Sequence, residues 1–263
     1  MNNTALDSNS IDRVERERVF HDHRFAVNPG RNRMLGSVTG SITLDALTAT
    51  YHTVKPFCAG ATVLDYGCAQ GEASVILRRY GAMAVQGIDI SPVAVQQAEE
   101  NARAAGVDRV SFQVMNAEQL EFSARSFDVV FGIGILHHLN VSQACSEIAR
   151  VLRPSGTAVF LEPLGHNPFI NLIRRLTPGS RTVDEHPLLV KDLDVIGRFF
   201  ERVDCKYVNL MTLLTAPLVA IPGRSAAQSL LGRVDTTLFS VAPWMGRYAW
   251  NVVLTMRRPV KSI

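Results

Sequence analysis

The sequence predicts an α/β fold, a mostly parallel sheet with helices on both faces. Two observations carry that prediction. From Ala61 onward, short β-rich runs alternate with helical stretches, and strands separated by helices pair in parallel and need cover on both sides. The first of those runs ends in a glycine turn that leads straight into a helix, Gly67 to Gly71, the form a strand-to-helix turn takes when its backbone must approach a ligand.

The elements follow in order. Residues 1 to about 55 read as helical segments and loops, with a charged run Ile11 to Phe20, then His21-Asp22-His23 and a loop at Asn28-Pro29-Gly30; they are expected to form an N-terminal helical cap or lid. Residues 56–263 are expected to form the main domain. Thr62-Val63-Leu64 is its first strand. Glu72 to Tyr80 places Ala73, Ile76, Leu77 and Tyr80 on one helical face, and Ala82 to Ile88 is the second strand. Ser91-Pro92 opens a helix with Ser as N-cap and Pro at the first helical position, and Ala94, Ala98, Ala102 and Ala105 form a small-residue stripe along it.

Strands are expected at Arg109 to Met115, Phe127 to Gly132 and Thr157 to Glu162, with helix Val141 to Leu152 between the last two. The alternation then breaks. Leu164 to Pro187 reads as loop-rich, followed by a helix near Val190 to Phe200 and a strand near Arg202 to Leu210. A second insertion falls within about 211–247, before a final strand Tyr248 to Met256.

The bulk properties exclude several function classes. At 263 residues, 47% hydrophobic and 19% charged, the chain can build a full core. A net charge of +3 from scattered basic residues gives no nucleic-acid footprint. Cys58, Cys68, Cys145 and Cys205 form no CxxC pair and predict thiols in a reducing, cytoplasmic setting. The apolar stretch Val208 to Ile221 is interrupted by Asn209, Thr212, Thr215 and Pro217. It is too short for a transmembrane segment, which needs about 20 apolar residues, and reads as a hydrophobic cap or acceptor wall, with contact to a lipid-linked substrate as the alternative.

Four motifs stand in strand order. Asp65-Tyr66-Gly67-Cys68-Ala69-Gln70-Gly71 is an acidic residue before a glycine turn. The dinucleotide pattern GxGxxG fails there, because its second and third glycines fall on Ala69 and Glu72. Asp89, in Gly87-Ile88-Asp89-Ile90-Ser91, ends the second strand about 20 residues past the turn, where a carboxylate suits paired ribose hydroxyls; helix capping is the alternative. Asn116-Ala117-Glu118 follows the third strand. Gly132-Ile133-Gly134-Ile135-Leu136-His137-His138-Leu139 follows the fourth, and Leu152-Arg153-Pro154-Ser155-Gly156 precedes the fifth.

Together, from Ala61 to about Glu162, these motifs resemble the class I S-adenosylmethionine (SAM) dependent methyltransferases, in particular the type 11-like enzymes acting on small molecules. The resemblance implies a Rossmann-like seven-stranded sheet and SAM as cofactor. Asp65, Gly67, Cys68, Ala69 and Gly71 would cradle the methionine end, with the carboxylate at the helix N-terminus. Asp89 and Ile90 would hold the ribose, Asn116, Ala117 and Glu118 the adenine, and Gly132 and Ile133 would lie beside the sulfonium. Ala69 replaces the family's middle glycine and Asn116 its aspartate.

Methyl transfer is an in-line displacement, and a base is needed only where the acceptor must lose a proton, as a hydroxyl does. His137 is the candidate base, since imidazole titrates near neutrality and the position matches the histidine of an HD motif in related O-methyltransferases. Here His138 follows it instead of an acid, and a packing histidine is the alternative. Glu162, His166 and Asn167 leave the fifth strand on the acceptor side, and Arg174 and Arg175, then Arg181 and Asp184-Glu185-His186, follow. The arginines could grip an anionic acceptor or form solvated surface. His21 and His23 show no third ligand at a recognisable spacing, so no metal is expected.

The expected function is methyl transfer to oxygen or nitrogen of a small-molecule acceptor, anionic or apolar, such as a secondary metabolite, sugar or lipid-linked intermediate. The alternatives are a SAM-binding protein that does not transfer the methyl, for instance a cyclase, and an NAD-dependent oxidoreductase.

Overall fold

A computed structural model of the protein describes residues 8–27, 33–177, 182, 184–218 and 224–260, with side chains described outside 8–12, 27 and 33–41. The expected Asn28-Pro29-Gly30 loop and Arg181 lie outside the described residues.

Seven strands form one sheet: β1 (Thr62–Tyr66), β2 (Ala84–Asp89), β3 (Val110–Val114), β4 (Phe127–Ile133), β5 (Leu152–Pro163), β6 (Phe200–Val208) and β7 (Asn251–Pro259). Their order is β3-β2-β1-β4-β5-β7-β6. β1 to β5 are parallel, and β7 runs antiparallel between β5 and β6. The expected α/β class and seven-stranded, mostly parallel sheet are what the chain adopts.

The strands are apolar on both sides because both sides are covered. On one face Leu64, Val130, Phe160 and Leu254 meet Ala144, Cys145 and Ile148 of helix α5 (Val141–Val151). On the other, Val63, Val129, Phe131, Val159 and Val253 pack with Leu77 of α3 (Glu72–Arg79) and with Ala46 and Val54 of α2 (Arg33–Val54). Each Val, Leu, Ile or Phe among them, removed from water, contributes about 1.5–3 kcal/mol. Asn140 caps α5 by accepting the N–H groups of Ser142 and Gln143, and Ser91 caps α4 (Pro92–Ala104) by accepting that of Ala94.

One expectation changes and two segments gain detail. The loop-rich segment Leu164 to Pro187 holds a helix: Asn167 accepts the Ile170 N–H and Pro168 takes the first helical position, so α6 forms over Pro168–Leu176. β5 begins at Leu152, which pairs with Phe127 across a register shift, so Leu152–Gly156, expected ahead of the fifth strand, lies inside it. The second insertion contains a 3-10 segment Met211–Leu218, helix α8 (Arg224–Val241) and a 3-10 segment Pro243–Tyr248. Helix α7 spans Val190–Ile196.

Of the expected cap, α1 (Ser8–Val27) lies over the strand ends, held to α4 by Asp22 on Ser91 and by the Phe25 carbonyl on Gln97, whereas α2 is built into the core. Leu213 and Ala216 of the apolar stretch Val208 to Ile221 pack on Ile42 and Ile170, and residues 219–221 lie outside the described residues. Among the described residues no helix is long and apolar enough to cross a membrane.

Candidate active site

The C-terminal ends of β1 to β5 lie on one edge, and the strand order reverses between β1 and β4, the place where open α/β sheets bind ligands. A cleft of about 630 Å³ opens there, lined by Gly67 and Ala69 after β1, Asp89 and Ile90 after β2, Asn116 and Ala117 after β3, and Ile133, His137 and His138 after β4. That volume is in the range of small-molecule sites.

The turn after β1 is bent by necessity. Gly67 (φ +79°) and Gly71 (φ +78°) sit in the left-handed region, and a Cβ on Gly67 would stand 2.9 Å from Ile135. Ala69 is also left-handed, at φ 46°, which strains a residue with a Cβ by about 1 kcal/mol. Its N–H donates to Asp89 Oδ2 at 3.0 Å. Gly71 N-caps α3 without any side-chain hydrogen bond; Asp65 takes the Ser74 N–H, which leaves those of Glu72 and Ala73 for an anion.

Asp89 also accepts the Ser91 N–H at 2.9 Å. A carboxylate has about four acceptor positions, so acceptor capacity remains for a ligand at the cleft wall. Burial pushes its carboxyl above the usual range, opposed by the Ser91 N–H, by the charge of His21 and by the Ala69 N–H. Asp65 is not in the lining. It lies buried behind the turn, accepting the Ser74 hydroxyl at 2.5 Å. Burial pushes its carboxyl up to about 7, with the Ser74 hydroxyl opposing and the Asp89 charge assisting.

Cys68, Gly71 and Gly132 also stand behind the lining, the last against the Phe160 ring. Asn116 reaches the cleft, and its Oδ1 accepts the Glu118 N–H at 2.9 Å. Glu118 is the clearest departure from the expected roles. It is absent from the lining, and its carboxylate is occupied by the Arg13 guanidinium at 2.6 Å and the Asn140 N–H. Arg13 donates also to the His138 carbonyl at 2.7 Å, so Glu118 anchors α1 over the cleft.

His137 is fixed from behind. Its Nδ1 lies 2.8 Å from Glu162 Oε2, while Glu162 Oε1 accepts the N–H groups of Ile135 (2.9 Å) and Leu136 (2.8 Å). Glu162 is fully buried. A carboxylate only accepts, so Nδ1 carries the proton and the Nε2 lone pair is left on the cleft side. Glu185 Oε1 is 3.8 Å from that Nε2.

The other acceptor-side candidates have structural work instead. His166 Nε2 accepts the Val190 N–H, Asn167 caps α6 and donates to the Tyr248 carbonyl, and Arg174 donates to the Leu164 carbonyl and Asn171. Neither Arg174 nor Arg175 lines the cleft. Asp184 pairs with Arg16, and the His186 N–H donates to the His137 carbonyl.

Sequence reasoning missed Arg13 and Glu17. With His21 they recur every four residues and share one face of α1 toward the cleft; that spacing was the available signal. Burial pushes the Glu17 carboxyl up, but His138, His21 and Thr182 prevail and hold it well below the usual carboxylate range.

Comparison with known proteins identifies the domain. The family described as "Methyltransferase domain" matches residues 64–160, the span that forms this edge from β1 to β5. The chain carries a class I SAM-dependent methyltransferase domain. Relatives include a 27-O-demethylrifamycin SV methyltransferase of Amycolatopsis mediterranei, 39% identical over 42% of this chain and 41% of that protein. A ubiquinone biosynthesis O-methyltransferase of Agrobacterium fabrum is 37% identical over 53% of this chain and 62% of that protein. The chain thus spans about half the length of the curated relatives it matches.

Among solved structures, the [4+2]-cyclase SpnF superposes with a TM-score of 0.57 at 23% identity, covering 82% of this chain and 81% of that one. The geranyl diphosphate C-methyltransferase of Streptomyces coelicolor, solved with S-adenosyl-L-homocysteine, gives 0.58 at 15% identity, covering 80% and 77%. At those identities they share the fold. SAM is the domain's cofactor, and this chain's residues fit it. The turn has no room for a Cβ at Gly67, α3 has an uncapped N-terminus, and Asp89 keeps acceptor capacity at the cleft wall.

Proposed function

We propose that the protein is a SAM-dependent O-methyltransferase whose acceptor is a small, largely apolar molecule bearing a hydroxyl group. Bound SAM supplies a methyl group activated by its positive sulfur. Gly67, Ala69 and the α3 N-terminus would hold the amino-acid end, Asp89 the ribose hydroxyls, and Asn116 with Ala117 the adenine.

The observation that carries the O-methyl assignment is the His137–Glu162 pair. An imidazole with its Nδ1–H tied to a buried carboxylate presents Nε2 as a proton acceptor, which a hydroxyl acceptor requires and a neutral amine does not. Glu162 would act as a positioning residue, fixing the tautomer and stabilising the imidazolium once the proton arrives. Helix α1 would close over the cleft and exclude water.

The acceptor's character follows from the remaining lining. Leu47 of α2, Leu161 and Pro163 of β5, and Trp250 beside β7 supply apolar surface, with Thr43 and Asn251 as polar points. The lining cations, Arg13 and Arg24, both belong to α1, and Arg13 is paired with Glu118, so an apolar acceptor fits better than an anionic one. A cytoplasmic setting belongs to this proposal, since SAM is an intracellular cofactor and Cys58, Cys68, Cys145 and Cys205 are unpaired.

The test is a screen of phenolic and aliphatic hydroxyl acceptors with methyl-labelled SAM, scored by labelled product and S-adenosylhomocysteine. Labelled methyl ether from wild type and its loss in His137→Ala at unchanged SAM affinity are expected. Transfer to amines alone, or full activity in His137→Ala, would overturn the assignment.

A further inference from the structure

Beside the proposed base, α1 and the turn after β4 bring together three side chains that methyl transfer does not use. Glu17 and His21 face the cleft from α1, and His138 faces it from the 3-10 segment Leu136–His138. One ligand atom from each lies within 4.8 Å of the other two. Glu17 Oε2 is 3.2 Å from His138 Nδ1 and 3.6 Å from His21 Nε2.

Those separations are the edges of a coordination polyhedron. Ligands about 2.0–2.1 Å from a tetrahedral ion stand about 3.3–3.4 Å from one another. A second observation points the same way. Glu17 and His138 are 6% and 8% exposed, yet Glu17 Oε2 and His138 Nδ1 have no hydrogen-bond partner. They face each other at 3.2 Å without forming one. Burying two polar atoms without a hydrogen bond is costly, and a shared cation satisfies both.

We propose that Glu17, His21 and His138 bind one divalent first-row transition metal ion, which ties α1 to the core and closes the cleft. Two imidazoles and one carboxylate are borderline ligands that suit Zn²⁺, Mn²⁺ or Fe²⁺, whereas Mg²⁺ and Ca²⁺ prefer sites made wholly of oxygen. Three protein ligands leave a position for water or an acceptor oxygen, next to the His137 ring, whose centroid is 4.2 Å from that of His138.

His138 also belongs to a looser set with His137 and Glu185. That alternative is weaker, because His137 Nδ1 is engaged by Glu162 and Nε2 stands 3.8 Å from Glu185. The Glu17 set escaped sequence analysis because His138 is remote in the chain; Glu17 and His21, four apart on one helix, were its legible half.

The test titrates Zn²⁺ calorimetrically into the full chain, stripped with EDTA and free of SAM. One ion per chain with a dissociation constant below about 10 µM is expected, and Mg²⁺ should not displace it. Loss of an outer-shell partner already weakens metal sites about 10–100-fold, so Glu17→Gln and His21→Ala should each weaken binding by at least about 100-fold, and Glu185→Gln by less than about threefold. No binding by wild type, unchanged binding in Glu17→Gln, or loss confined to Glu185→Gln would overturn the proposal.

Circular dichroism checks that the variants fold. Should either unfold, Co²⁺ on wild type decides, by the visible bands of a low-coordinate nitrogen and oxygen site or their absence. Because S-adenosylhomocysteine binding to the stripped chain is measured separately, failure of the metal site and failure of the methyltransferase assignment are distinguishable.

Discussion

Replacing Glu162 by glutamine changes one atom and removes the charge behind His137. The wild-type carboxylate receives the Ile135 and Leu136 N–H groups on Oε1 and the His137 imidazole on Oε2, all without access to solvent. Glutamine keeps one acceptor oxygen. If its NH₂ faces His137, the imidazole must accept at Nδ1 and protonate at Nε2, so the group presented to the acceptor becomes a donor. If its NH₂ faces the backbone, two buried N–H groups lose their partner.

Each lost bond to a charged group is worth about 1.5–3 kcal/mol. The folded state should therefore lose about 2–4 kcal/mol, lowering Tm by roughly 4–16 °C for a chain of this size. Turnover should fall about 10²–10⁴-fold, the contribution of a general base, while S-adenosylhomocysteine affinity stays within about twofold. The assay is single-turnover methyl transfer at a temperature where circular dichroism shows the variant folded, with calorimetry for the cofactor product. A stability loss of that size with kcat within threefold of wild type would refute the positioning role and leave Glu162 a structural residue only.

Four further outcomes are expected. Asp89→Ala should weaken SAM by about 1–3 kcal/mol through lost charge-assisted hydrogen bonds, and unchanged affinity in calorimetry would remove the ribose assignment. Asp65→Asn should stabilise the cofactor-free protein at pH 8. The Asp65 carboxyl is raised in the folded state to about 7, so the folded chain holds the extra proton between about pH 4 and 7, and wild-type stability falls as pH rises through that window. The effect is about 4 kcal/mol at most, and identical Tm against pH curves for the two proteins would contradict it. Arg13→Ala, by releasing Glu118 and the His138 carbonyl, should speed proteolysis within α1 and weaken SAM about tenfold; an unchanged cleavage rate would contradict the anchoring role. Ala69→Gly should leave stability unchanged or raise it by up to about 1 kcal/mol by relieving a positive φ, where a loss of 1 kcal/mol would show no strain.

The cleft at the strand edge was legible because its elements are local. A strand, a turn and a helix start within ten residues fix Gly67, Ala69 and Gly71, and Asp89 and Asn116 end the next two strands at the same edge. The acceptor half was not, because its geometry comes from pairs far apart in sequence. Glu162 reaches His137 only once β4 and β5 pair side by side. Glu118 read as an adenine neighbour because of its place after Asn116, but α1 delivers Arg13 to it from more than one hundred residues away. His166 and Asn167 leave β5 at the predicted edge, yet the helix that Asn167 caps draws them into holding α6 and α7. Proline and asparagine at 167–168 were a helix start written into a segment whose many prolines read as loop.

Titration of the purified chain with S-adenosylhomocysteine, in parallel with NAD, decides whether the strand-edge cleft binds a sulfonium nucleoside. One S-adenosylhomocysteine per chain and no heat from NAD are predicted. Saturable heat from NAD, or none from S-adenosylhomocysteine with the protein folded, would contradict it.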